Sequence, residues 1–245
     1  DDTQPSKLSL APRRARALTI INTAAVPKPE NSRTRTRIPV PFAAVRPMSS
    51  ASSIHLQTGD ALIAVDVQND FLPGGSLPVP EGDAVVPAIK RYLAAFAARA
   101  LPVFATRDWH PAKHCSFREQ GGIWPPHCVA ATRGAEFARG LALPPAAIVI
   151  SKAATPEADS YSGFGGTELA ARLRAAGAAR LFIGGLATDY CVLNTVRDAL
   201  AEGFEVLLLA DAIRAVDVNA GDGARAEQEM QQRGARAIRY EDLVP

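Results

Sequence analysis

Ala61-Leu62-Ile63-Ala64-Val65-Asp66 is a short apolar run that ends on a carboxylate. It reads as a strand buried on both faces, the form strands take in a parallel sheet covered by helices. Two further segments repeat the pattern. Ala146–Ser151 delivers Lys152, and Leu181–Gly185 leads through a short turn to Cys191. In an open parallel sheet, ligands bind in the crevice beyond the carboxyl ends of the strands. An acid, an amine and a thiol arriving there from three strands read as one site built around a cysteine nucleophile.

Outward from these segments the chain alternates strand and helix. Apolar residues at helical spacing (Val85, Ile89, Leu93, Phe96) predict a helix over Ala84–Ala100, followed by a strand at Leu101–Thr106. Further helices are expected near Thr167–Ala176, Asp189–Glu202 and Asp222–Arg233, with strands at Phe204–Ala210 and Ala235–Tyr240. The predicted fold is therefore a three-layer α/β/α domain with a mostly parallel six-stranded sheet. The connection from Arg107 to Leu143 is the longest of the domain, and long loops in compact domains are usually functional.

Residues 58–245 are expected to form this domain, and residues 1–57 a disordered extension rich in Arg, Pro and Ser. The extension holds nine of the 27 Lys and Arg residues and only three of the 25 acids, so the domain itself is mildly acidic. Nothing in that balance favours nucleic acid or an anionic membrane. A transit peptide, a flexible tail and translated sequence upstream of Met48 are the competing explanations of the extension, the last two being preferred. Three cysteines at spacings of 13 and 63 do not make a disulfide framework and fit a reducing, cytoplasmic setting. No run approaches the roughly 20 apolar residues that span a bilayer.

Cys191 opens a predicted helix, where the helix dipole favours a thiolate and first-turn N–H groups can hold an oxyanion. The alternative is a small buried hydrophobe. Asp66 can accept a thiol proton and return it, and an ammonium at Lys152 favours both the carboxylate and the thiolate. Asp66 read alone is turn chemistry, and Lys152 read alone is a solvated loop lysine.

Three of the four histidines lie in the long loop. Asp108 and His110, joined by His127, offer one oxygen and two nitrogens with coordination positions left open, as in a catalytic metal centre. Such ligation suits Zn²⁺, Fe²⁺ or Mn²⁺, zinc being the leading expectation. His114 is a candidate extra ligand. Hydrogen-bonded loop histidines are one alternative, and a structural zinc site using His110, His114, Cys115, His127 and Cys128 is another.

Seven short motifs, in order, carry a resemblance. They are Val65-Asp66-Val67-Gln68-Asn69-Asp70-Phe71, Pro73-Gly74-Gly75-Ser76-Leu77, Thr106-Arg107-Asp108-Trp109-His110-Pro111, Trp124-Pro125-Pro126-His127-Cys128, Ser151-Lys152-Ala153, Tyr161-Ser162-Gly163-Phe164 and Ala187-Thr188-Asp189-Tyr190-Cys191. Over Asp60–Tyr240 the chain resembles the nicotinamidases of the isochorismatase-like cysteine hydrolase superfamily. The resemblance implies Asp66, Lys152 and Cys191 as catalytic triad, and Asp108, His110 and His127 as ligands of one divalent ion that holds the pyridine nitrogen. It also implies a cis peptide between Leu186 and Ala187, with the N–H groups of Ala187 and Cys191 forming the oxyanion hole. Phe71, Trp124, Tyr161 and Leu186 would wall the ring pocket. The implied reaction is hydrolysis of nicotinamide to nicotinate and ammonia through a thioester, in NAD salvage, with pyrazinamide a further substrate. Relatives of this kind are often oligomers, so a homo-oligomer is an open expectation. The rival functions are hydrolysis of another amide or carbamoyl compound and a redox role for Cys191.

Overall fold

A computed structural model of the chain describes residues 53–244. All of the expected extension before residue 53 lies outside the described residues. In chain order the elements are β1 (Ile54–His55), β2 (Asp60–Val65), α1 (Val85–Ala98), β3 (Val103–Asp108), β4 (Ile148–Lys152), α2 (Leu169–Ala175), β5 (Arg180–Leu186), α3 (Leu193–Ala201), β6 (Glu205–Arg214), α4 (Asp222–Gln232), β7 (Arg236–Ile238) and β8 (Leu243–Val244). Six strands form one parallel sheet in the order β4-β3-β2-β5-β6-β7. The order reverses between β2 and β5, which opens a crevice beyond their carboxyl ends. Asp66 follows the first of these strands and Cys191 the second.

Every residue of β2 is buried. Ala61, Ile63 and Val65 face one helical layer together with residues of α2, α3 and α4, while Leu62 and Ala64 face α1 on the other side. That two-sided burial is why the strand reads as an unbroken apolar run. Each fully buried Ile or Leu contributes roughly 1.5–3 kcal/mol.

The α1 helix buries Val85, Ala88, Ile89, Tyr92, Leu93 and Phe96 along one stripe. Pro87 sits in its first turn, where an amide proton has no helical partner. The helix stops where Ala100 takes φ +52° and the Leu101 N–H returns to the Phe96 carbonyl at 3.0 Å.

Two differences from expectation appear at the ends. Ile54 and Leu56 are buried, and β1 pairs with β8, so ordered structure reaches back past the expected boundary at residue 58. The last sheet strand, β7, is only three residues long, and Tyr240–Asp242 form a 3-10 turn instead. Among the described residues, no helix is long and apolar enough to cross a membrane.

Candidate active site

The strand ends bring Asp66, Lys152 and Cys191 together. Lys152 Nζ lies 3.0 Å from Asp66 Oδ2 and 3.6 Å from Cys191 Sγ. A carboxylate oxygen of Asp66, one of Asp108 and the sulfur all fall within 4.8 Å of one another. All four side chains are buried. Asp66 takes φ +48° directly after β2, a left-handed conformation that Asp tolerates better than most residues. Its backbone leaves the sheet there. Thr106, the partner of Val65 on β3, donates its hydroxyl to Asp66 Oδ1 at 2.6 Å. Oδ2 has no hydrogen bond of its own and faces the ammonium.

Lys152 does more than the sequence reading gave it. Besides its ion pair with Asp66, the ammonium donates to Asp108 Oδ1 and to the Ser160 carbonyl at 3.1 Å. Register places Asp108 directly beside Lys152 on the neighbouring strand. Burial alone would lift the Asp108 carboxyl, but Lys152 and then His110 hold it well below the usual carboxylate range. Burial would likewise lower the Lys152 ammonium, and the two acids raise it well above its ordinary value. The two carboxylates thus favour the charged ammonium.

Asp66 and Cys191 differ from expectation. Burial outweighs Lys152 at Asp66, whose carboxyl titrates above its usual range. Burial also pushes the Cys191 thiol well up, against the pull of Lys152. Cys191 does not open a regular helix as expected: it lies in a buried π-turn, Thr188–Val192, ahead of α3. The Ala187 carbonyl accepts the N–H groups of Tyr190 at 3.1 Å and Val192 at 3.0 Å, and the N–H of Cys191 takes part in neither bond. The Leu186–Ala187 peptide is cis.

Gly185 shapes the end of β5. It takes φ +135° with its α-carbon so close to β2 that an added Cβ would lie 2.0 Å from the Val65 carbonyl oxygen.

Beside this group, Asp108, His110 and His127 offer ligand atoms that also lie within 4.8 Å of one another. His110 Nδ1 faces the Ala153 carbonyl at 3.2 Å and His127 Nδ1 the Pro125 carbonyl at 2.8 Å. A carbonyl can only accept, so both rings donate from Nδ1 and turn Nε2 toward the group. His110 Nε2 then faces Asp108 Oδ2 at 3.6 Å, and both atoms point toward the space shared with His127. The donor set fits a divalent ion.

His114 stands outside the group. Its Nδ1 meets Ser116 Oγ at 2.7 Å and its Nε2 the Ala158 carbonyl at 3.1 Å, while its ring stacks on His110 at 4.2 Å. It supports a ligand ring rather than extending the ligand set. Cys128 is also apart: its N–H donates to Asp70 Oδ2 at 2.7 Å.

A small cavity opens onto both groups, lined by Phe71, Trp124, Tyr161, His127, Asp108 and Cys191 among others. Leu186 is a correction. Strand alternation sets its side chain on the face of Phe182, in the α1 layer, and it lines no part of this cavity. The sequence reading missed Tyr190 and Val216 as lining residues. Tyr190 packs edge-on against Trp124 at 5.1 Å, and Trp124 Nε1 donates to Tyr161 Oη at 2.9 Å. Tyr190 stands immediately before the candidate nucleophile, the one signal that could have flagged it.

A six-stranded parallel sheet with this cluster at its switch point is the architecture of isochorismatase-like hydrolases. The chain belongs to the isochorismatase family, whose isochorismatase domain matches residues 60–242. It is 40% identical over 196 residues to the nicotinamidase of Escherichia coli, covering 71% of this chain and 92% of that protein. Its structure is similar to the pyrazinamidase of Pyrococcus horikoshii in complex with zinc (TM-score 0.72, 50% identity, 74% of this chain and 99% of that one). It is similar also to PnC1 from L. infantum in complex with nicotinate (TM-score 0.72, 39% identity, 78% and 98% covered).

Proposed function

We propose that this protein hydrolyses nicotinamide to nicotinate and ammonia, with pyrazinamide as a further substrate, and so serves NAD salvage. One observation carries the reading: a single cavity bounded on one side by the Cys191 thiol and on another by His127 and Asp108 of the metal-ligand set. The nicotinamidases and pyrazinamidase among the relatives support it, as does nicotinate bound to the L. infantum protein.

In this mechanism Asp66 Oδ2, the oxygen left free by Thr106, takes the thiol proton as Cys191 attacks the carboxamide carbon. The N–H groups of Ala187 and Cys191 hold the oxyanion, an interaction typically worth about 10²–10³ in turnover per donor. Asp66 returns the proton to the departing ammonia, leaving a thioester on Cys191. Asp66 then takes a proton from water as it attacks the thioester carbon, the C–S bond breaks to release nicotinate, and Asp66 passes that proton to the Cys191 sulfur. Lys152 counters the negative charge throughout. Asp108, His110 and His127 would hold a divalent ion, zinc by analogy with the P. horikoshii complex, and that ion would supply a Lewis acid to bind and orient the pyridine nitrogen.

Ammonia release from nicotinamide tests this directly. Wild-type protein should turn over and Cys191→Ala, at an unchanged melting temperature, should not. Substantial residual turnover by the variant rules out the thioester route, and a wild-type preference for carbamoyl compounds in a small amide panel rules out the substrate.

A further inference from the structure

Gln68 is wholly buried two residues after Asp66, and the mechanism above gives it no part. Its side-chain amide is fully engaged. Oε1 accepts the Asp108 N–H at 2.8 Å, and Nε2 donates to the Asp108 carbonyl at 2.8 Å and to the Ala135 carbonyl at 2.9 Å. Two of these three bonds go to the backbone of one residue, 40 positions away.

The sheet explains why that residue needs them. Strand β2 pairs with β3 as far as Val65 and Thr106, and then Asp66 turns away with φ +48°. Asp108, two residues further along β3, keeps its partner Lys152 on β4 but has no strand residue on its other flank. The Gln68 amide, one acceptor and one donor set side by side, stands where a peptide group of β2 would have stood. Its third bond reaches Ala135, and the Gln68 backbone bridges Phe137, so the same residue ties down the far end of the long loop.

Asp108 is where the two halves of the site meet. One carboxylate oxygen accepts from Lys152 and the other faces His110 Nε2 at 3.6 Å. A carboxylate with two directed tasks needs a fixed backbone beneath it.

We infer that Gln68 is a positioning residue for Asp108, substituting for a missing strand to set the geometry of the cation site. The inference rests on Asp108 being a metal ligand and is independent of which amide is the substrate. Groups that orient a ligand from behind typically change metal affinity by about 10–100-fold when removed.

The test uses the whole protein loaded with Zn²⁺ or Co²⁺. Gln68→Met keeps the length and volume and removes all three bonds. Gln68→Glu keeps an acceptor for the Asp108 N–H but sets an oxygen against two carbonyls. Chelator competition gives the metal affinity, and the Co²⁺ absorption bands report ligand geometry. Gln68→Met is expected to bind metal about 10–100-fold more weakly with shifted Co²⁺ bands, and to raise KM for nicotinamide more than it lowers kcat. Gln68→Glu should fall between it and the wild type. A lower melting temperature with wild-type affinity and wild-type bands overturns the inference, since a core-filling role would do only that. If Gln68→Met does not fold, Gln68→Glu decides: affinity and bands equal to wild type overturn the inference. Weakened metal binding in the variants, alongside a wild-type protein that does not turn over nicotinamide, supports the role of Gln68 and sinks the substrate reading alone.

Discussion

Thr106 Oγ1 donates to Asp66 Oδ1 at 2.6 Å, and this bond decides which carboxylate oxygen is free to act. Both groups are completely buried. With Oδ1 occupied, Oδ2 is the oxygen that faces Lys152 and stands ready for a proton. Thr106→Val keeps the shape and removes the hydroxyl. A lost hydrogen bond to a charged group is worth about 1.5–3 kcal/mol. The expected result is a drop in kcat of roughly tenfold to a hundredfold with KM little changed, and recovery of most of it in Thr106→Ser. Steady-state kinetics on the three proteins checks this. Equal kcat in Thr106→Val would mean that Asp66 orients itself unaided.

Metal removal should separate recognition from bond cleavage. If the ion held by Asp108, His110 and His127 binds the ring nitrogen, chelation should raise KM for nicotinamide by about a hundredfold, equivalent to about 2.7 kcal/mol. Benzamide has no ring nitrogen, so its kcat/KM should be low in both forms and nearly unchanged by chelation. Parallel assays with circular dichroism of the apo-protein distinguish this from unfolding. Equal losses on both substrates would remove the ion from recognition.

The acid limb of the pH profile should belong to Asp66. Its carboxyl must be ionised to accept the thiol proton, so activity is lost as pH falls through its pKa. Burial raises that pKa above the usual carboxylate range, against the pull of Lys152 and Thr106. The limb in kcat/KM should therefore lie higher than an exposed aspartate would give. Cys191 is likewise raised by burial, which favours its thiol over the thiolate. Its alkylation by iodoacetamide should climb continuously from about pH 6 to pH 9, because the thiolate is the reacting form. A flat rate over that range would mean a thiolate already formed at rest.

The parts legible in the sequence are those that chain-local patterns encode. Apolar runs gave the strands, and their ends gave Asp66, Lys152 and Cys191, because strand direction alone decides where such ends gather. The α1 helix, expected over 84–100, is found at Val85–Ala98. Side-chain bonds to distant backbone left no local mark. Gln68 and Thr106 both act on residues 40 positions away, and neither has a spacing that announces it. Leu186 was assigned to the pocket by the resemblance alone, and strand alternation carries it to the α1 face. The β1–β8 pair escaped because two-residue strands have no period to read. The burial that raises the Cys191 thiol depends on the whole fold and so left no local mark in the sequence.

Gly134 offers a test of how the histidine loop is held. Asp70 accepts the Cys128 N–H at 2.7 Å through Oδ2 and the Ser76 N–H at 3.1 Å through Oδ1, pinning the chain one residue after His127. A Cβ added at Gly134 would come within 2.1 Å of Asp70 Oδ2, closer than any real contact. Asp70 is short and held at both oxygens, so it cannot swing aside without giving up the bond to Cys128. Gly134→Ala should therefore leave a buried N–H unpaired, at a cost of about 1–3 kcal/mol, and release His127 from its fixed position. A lower melting temperature together with weaker metal retention under dialysis is the expected pair of results. Metal retention equal to wild type, whatever the melting temperature, would show that His127 is held by its own bond to Pro125 and not through Asp70.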